Sequence, residues 1–174
     1  MNGSIYEREL ANLLSGRESN IEKFSKKLPP DSNKDLRSLL ESPFYVTRAA
    51  GSLGADLIAV RHDVSLIIEV KSSQYDVIHF AESSGKRQEQ ADRLIEKCRL
   101  SGLFITYAYR LKNAPGDSWR LFSMPGEPAG RMKFVYNILP RADETKKGSY
   151  MLKWEKGIPL SKFVGYINFK IEWG

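Results

Sequence analysis

The 174-residue chain contains a single cysteine, Cys98, and only two histidines. An internal disulfide is excluded, as is a zinc site built on cysteines, and schemes that need several imidazoles lack their groups. Long hydrophobic runs are missing too. Stretches such as Leu66 to Ile68 fall far short of the ~20 residues a membrane-spanning helix needs. The first twenty residues are interrupted by Glu7, Arg8 and Glu9, so they lack the apolar stretch of a secretory signal. Cytoplasmic residence, with no membrane partner, is the default expectation. There are no internal repeats and no low-complexity tract. What is present is enough for a packed interior: 41% of the residues are hydrophobic and 11% aromatic, which excludes disorder throughout. The length fits one compact domain.

Charge is uneven along the chain. The net charge is +6, with a pI near 9.4. Residues 1–83 carry ten Lys and Arg against twelve Asp and Glu; residues 84–133 carry ten against five, and residues 134–174 seven against four. The excess suggests a polyanionic partner and equally fits a Lys-rich solvated surface.

Apolar spacings of three and four over Ile5, Tyr6, Leu10, Leu13 and Leu14 predict an amphipathic helix that ends near Ser15-Gly16. Ser4 with Glu7 three residues on fits a capping box at its start. Residues 17–43 are mostly polar and broken by Pro29-Pro30 and Pro43, so they read as an inserted loop with a short helix over 34–41. Strand signals follow at 44–47, 55–60 and 65–70, the last two joined by His62-Asp63 as a hairpin. Ala91, Leu94, Ile95 and Cys98 form the apolar stripe of a second helix over 84–100, flanked by basic residues and stopped at Ser101-Gly102. Strands are predicted again at 103–109 and 119–124, and short strands at 132–138, 149–154 and 163–172. The order implies an α/β fold, a central mixed β-sheet flanked by helices with a β-rich C-terminal extension from residue 125.

The hairpin register concentrates the chemistry. With His62-Asp63 at the turn, paired positions sum to 125, and Asp56 falls opposite Glu69. Like charges at that position repel, so a cation sits between them or one carboxyl is protonated. Lys71, two residues beyond Glu69, projects from the same face. Two carboxylates suit a hard divalent cation such as magnesium or manganese. With an ammonium beside them they match the needs of phosphodiester hydrolysis, in which a metal activates water and phosphate charge must be offset. The other reading is a surface salt-bridge cluster; apolar Leu66-Ile67-Ile68 and Val70 argue against it.

Gly54-Ala55-Asp56 followed by Glu69-Val70-Lys71 resembles the Asp…Glu-x-Lys signature of the PD-(D/E)xK nuclease superfamily, with Ala55 where a proline often stands. Tyr6-Glu7-Arg8-Glu9-Leu10, Val46-Thr47-Arg48-Ala49-Ala50-Gly51-Ser52 and Glu89-Gln90-Ala91 extend the likeness to archaeal Holliday-junction resolvases. It covers residues 3–16 and 44–124. The resemblance implies a restriction-endonuclease-like fold over a core of about 1–16 and 44–124, with 17–43 inserted and 125–174 appended. It further implies a homodimer that cuts two opposed strands of four-way junction DNA in recombination and repair. The cofactor would be Mg2+, with Mn2+ able to substitute, and the protein would be associated with the nucleoid.

By position, Glu7, Asp56, Glu69 and the Val70 carbonyl would ligate metal, and Lys71 would position the attacking water. Ser52 would lie near the scissile backbone. Arg8 and Arg48 would contact phosphate; apart from the resemblance, the charge of the basic helix makes Lys86, Arg87 and Arg93 candidate DNA contacts. Each residue has an ordinary counterpart: Glu7 as the capping-box acid, Ser52 as a turn residue, the basic residues as solvated charges. Cys98 reads as core, and Tyr75 and Tyr107 as packing residues. Two other functional classes stand beside the resolvase: a restriction or repair enzyme of the same superfamily, and a DNA-binding scaffold without catalysis.

Overall fold

The computed structural model describes residues 3–49, 54–62, 64–82 and 85–172. In chain order the elements are α1 (Gly3–Leu14), α2 (Glu18–Ser25), α3 (Pro30–Arg37) and a 3-10 turn at Ser38–Leu40, with a second such turn later at Trp154–Lys156. Then come β1 (Tyr45–Arg48), β2 (Leu57–Arg61), β3 (Val64–Ser73), β4 (Val77–His79), α4 (Lys86–Leu100), β5 (Ile105–Leu111) and β6 (Trp119–Ser123). The chain closes with α5 (Met132–Ile138), β7 (Asp143–Glu144), β8 (Tyr150–Lys153), β9 (Ile158–Pro159) and α6 (Leu160–Glu172).

Six strands form the central sheet in the order β1-β2-β3-β5-β6-β9. It is mixed: β3 and β5 run parallel, and every other neighbouring pair is antiparallel. A parallel pair needs a crossover, which β4 and α4 supply. The expected α/β architecture, a central mixed sheet flanked by helices, is what the chain adopts.

The two sheet faces are covered differently. On one, Leu57, Ala59, Leu66, Ile68 and Val70 pack with Leu10, Leu13 and Leu14 of α1 and with apolar residues of α2, α3, α5 and α6. On the other, Ile105, Tyr107, Tyr109 and Phe122 pack against Ala91, Leu94 and Cys98 of α4. A small sheet, β4-β8-β7, closes that side through Ile78 and Leu152. Strand alternation sorts β3 between these layers: Leu66, Ile68 and Val70 face the helical layer, so Glu69 and Lys71 face α4. Cys98 is buried, and burial pushes its thiol up to about 11, as expected of a core residue.

Three expectations are corrected. Residues 17–43 carry α2, α3 and the 3-10 turn at Ser38–Leu40 in place of the expected inserted loop with one short helix over 34–41. Leu36 and Leu39 lie on elements packed against α6, more than a hundred residues away, and Ile21 and Phe24 lie on α2, packed against α3 and α1. The segments 132–138 and 163–172 are helices rather than strands. Their aromatic and β-branched content suggests strand, yet Leu160, Phe163, Val164 and Ile167 are buried at spacings of three, one and three, one helical stripe. Helix α1 starts at Gly3, which puts Ser4 inside the first turn instead of at an N-cap. The strand expected over 149–154 is present as β8.

Candidate active site

The hairpin pairs as its sequence predicts: Leu57 opposes Ile68, Ala59 opposes Leu66, and Arg61 opposes Val64 at the turn. His62 has φ of 51°, as a tight primed turn requires. Asp56 lies one residue before β2, still held to the ladder by its N–H donating to the Ile68 carbonyl at 3.0 Å. Its carboxylate then accepts the Val70 N–H at 2.7 Å. A side chain thus takes the place of a backbone acceptor, and the Asp56 carboxyl is fixed beside Glu69.

Glu69 is 2% exposed. Its Oε1 accepts from Lys71 Nζ at 2.6 Å and from Gln90 Nε2 at 2.9 Å. Its Oε2 is buried with no hydrogen-bond partner. Burial, augmented by the charge of Asp56 and opposed by Lys71, pushes the Glu69 carboxyl up to about 7. Asp56 is raised too, first by burial, with a smaller push from Glu7 that the Val70 N–H opposes. Tyr107 is the β5 partner of Glu69 in register; its buried hydroxyl has no hydrogen-bond partner, and burial and the nearby carboxylates raise it.

Gly54 allows the approach of α4 to this hairpin. Its φ is 114°, and a Cβ there would stand 2.7 Å from Leu94 Cδ2. The residue that makes use of the approach is Gln90, absent from the predicted site although it lies within a segment that carries the resemblance. Its amide reaches Lys71, Glu69 and the Gly54 carbonyl together. The available signal was its position one residue before Ala91 of the apolar stripe, at the edge of the face that α4 presents to the sheet.

The remaining predicted residues are distributed as follows. Glu7, in α1, accepts from Arg48 Nη2 at 2.8 Å, so the first helix and β1 are joined by that ion pair. Arg8 is exposed. Arg87 donates to the His79 carbonyl at 3.2 Å, while Lys86 and Arg93 are exposed on α4. Ser52 lies outside the described residues, as does the small-residue turn around it.

Among the described residues no group of three His, Cys, Asp or Glu is placed to hold a metal. Two carboxylates do converge, and one presents a buried oxygen with nothing bonded to it. That donor set fits magnesium, which commonly takes one or two protein carboxylates and completes its shell with water and substrate phosphate. It does not fit a closed structural zinc site.

No helix among the described residues is long and apolar enough to cross a membrane. Neither a protein-family model nor a curated protein sequence matches the chain. Among solved structures, the chain is similar to Hjc of Archaeoglobus fulgidus, a Holliday junction resolvase from an archaeal hyperthermophile. The identity is 18% and the TM-score 0.47, with 82% of this chain and 96% of that chain covered.

Proposed function

We propose that the protein is a magnesium-dependent endonuclease of the PD-(D/E)xK type that cuts four-way junction DNA. The observation that carries this reading is the pairing of Asp56 with a buried Glu69 whose second oxygen has no partner, with the Lys71 ammonium at 2.6 Å from the first. An unpaired buried oxygen costs ~1–3 kcal/mol, and a cation held beside the two carboxylates would satisfy it.

Asp56, Glu69 and the Val70 carbonyl would hold the cation; Glu7 of α1, paired with Arg48, would add its charge beside Asp56 without joining them as a ligand. A Mg2+ or Mn2+ ion held by these residues would supply an acidified water and stabilise negative charge on phosphate. The chain's own groups divide the remaining work. The Val70 N–H fixes Asp56, while Lys71 offers an ammonium that orients the nucleophile and offsets phosphate charge. Arg8, Arg48, Lys86, Arg87 and Arg93 would engage the DNA backbone, giving recognition by shape more than by base sequence. Ser52 would stand near the scissile linkage. A homodimer would supply one such site to each of two opposed strands, as one Asp…Glu-x-Lys set per chain requires.

A synthetic four-way junction, incubated with the protein and magnesium beside linear duplex, flap and single-stranded controls, tests the substrate. Symmetric nicks in the junction, with the controls left intact, are the expected result. Equal cutting of plain duplex would favour the restriction-type or repair-type nuclease instead, and junction binding without any cleavage would favour a scaffold.

A further inference from the structure

The carboxylate–lysine pair is held from outside its own strand. Gln90 projects from α4 and makes three hydrogen bonds around it. Its Nε2 donates to Glu69 Oε1 at 2.9 Å and to the Gly54 carbonyl at 3.3 Å, and its Oε1 accepts from Lys71 Nζ at 3.3 Å. Two of these partners lie on β3, and the third lies just before Asp56. A single neutral side chain therefore touches the segments that carry all three charged members of the site.

The chemistry of the group matters. A carboxamide presents donors and an acceptor at fixed ends and has no charge. A glutamate here would keep the acceptor for Lys71, but it could donate neither to Glu69 nor to Gly54, and it would set a third negative charge beside two carboxylates already in mutual repulsion. An aliphatic residue would keep none of the bonds. The lysine alone does not fix Glu69, since an ammonium on a four-carbon stem is a mobile point charge. With Lys71 and Gln90 both on Oε1, the oxygen left open is Oε2.

We infer that Gln90 is a positioning residue of the active site: it orients Glu69 so that Oε2 is presented to a bound cation, and it retains Lys71 beside the pair. This rests on the metal-dependent reading of Asp56 and Glu69. Gln90 itself touches neither cation nor DNA; it acts through the two residues it holds. Groups that orient metal ligands from behind typically contribute ten- to a hundred-fold in affinity or activity.

The test compares Gln90→Ala and the isosteric Gln90→Glu with the parent protein and with Asp56→Asn, using Mn2+ binding to the DNA-free protein by calorimetry as the first readout. Magnesium dependence of junction cleavage and the metal-free melting temperature accompany it. The expected result is that Gln90→Ala binds Mn2+ about ten- to a hundred-fold more weakly and needs correspondingly more magnesium for half-maximal cleavage. Junction affinity without divalent cation stays at the parent value, and the melting temperature falls by only a few degrees, about 2–4 °C. Gln90→Glu, which keeps the side-chain volume, is expected to lose the cleavage step with junction affinity retained. Parent-like Mn2+ affinity and cleavage in both variants would overturn the inference. So would equal losses of melting temperature, metal-free junction affinity and cleavage, which mark a purely structural contact. A parent protein that binds no Mn2+ at Asp56 would instead overturn the metal-dependent reading on which the inference rests.

Discussion

The two sides of strand β3 differ as sharply as any two regions of the molecule. Leu66, Ile68 and Val70 point into a layer of leucine, isoleucine, valine and phenylalanine from five helices. Glu69, between two of them, points the other way, toward Lys71, Gln90 and the buried hydroxyl of Tyr107. Residues one step apart in sequence thus serve opposite ends. The aliphatic side removes apolar surface from water and supplies folding free energy. The polar side spends some of it, because two carboxylates are kept close together and partly desolvated. A ten-residue strand in mid-sheet makes this possible: it is rigid enough that its helical-layer face can stabilise what its α4 face destabilises.

That contrast can be broken by substitution. The largest effect on folding belongs to the aliphatic side. Leu66→Ala should cost about 3 kcal/mol of stability in denaturant unfolding, the usual range for a fully buried leucine. Cleavage per folded molecule should be unchanged. A loss of specific activity with folding intact would show that the two faces are not separable.

A smaller effect of opposite sign belongs to the polar side. Glu69 titrates at about 7 in the fold, against an ordinary 4.5 when unfolded. Between those values the folded state holds more protons than the unfolded one, so metal-free stability from this group falls as pH rises from 4.5 to 7 and is level above. Glu69→Gln removes that slope. At pH 8, without divalent cation, the variant should be more stable than the parent by about 1–3 kcal/mol, the upper end being the full linkage of the raised pKa, in which the contact to Lys71 is already counted. The difference should vanish toward pH 4.5. A variant less stable than the parent at pH 8 would mean that Glu69 is held for structure.

How much of this was legible in the sequence depends on how local the cause is. The hairpin register follows from alternation and a two-residue turn, and it correctly sets Asp56 beside Glu69 and Lys71 on the face of Glu69. The exact bonding of Asp56 was not legible, because a side chain taking the Val70 N–H leaves no mark in a pattern of apolar residues. Gln90 was hidden for a related reason: its partners lie 19, 21 and 36 positions away. Helix α2 was missed, and the short helix expected over 34–41 lies earlier as α3 with the 3-10 turn, because the few buried residues there, such as Leu36, make sense only once α6 is in place. Helix α6 itself was legible in spacing and was obscured by composition. Where a residue's role depends on one distant neighbour, pattern alone does not reveal it.

The central claim is that Asp56 and Glu69 serve a divalent cation in DNA cleavage. The most direct measurement is cleavage of a four-way junction by the parent and by Asp56→Asn, each with magnesium and with chelator, alongside junction binding in chelator. The account predicts paired nicks from the parent in magnesium and none in chelator. It predicts a loss of roughly two to three orders of magnitude in the variant, the scale of removing one electrostatic contributor to a transition state, with binding retained. Cleavage that persists in chelator, or an Asp56→Asn protein that cuts as fast as its parent, would contradict it.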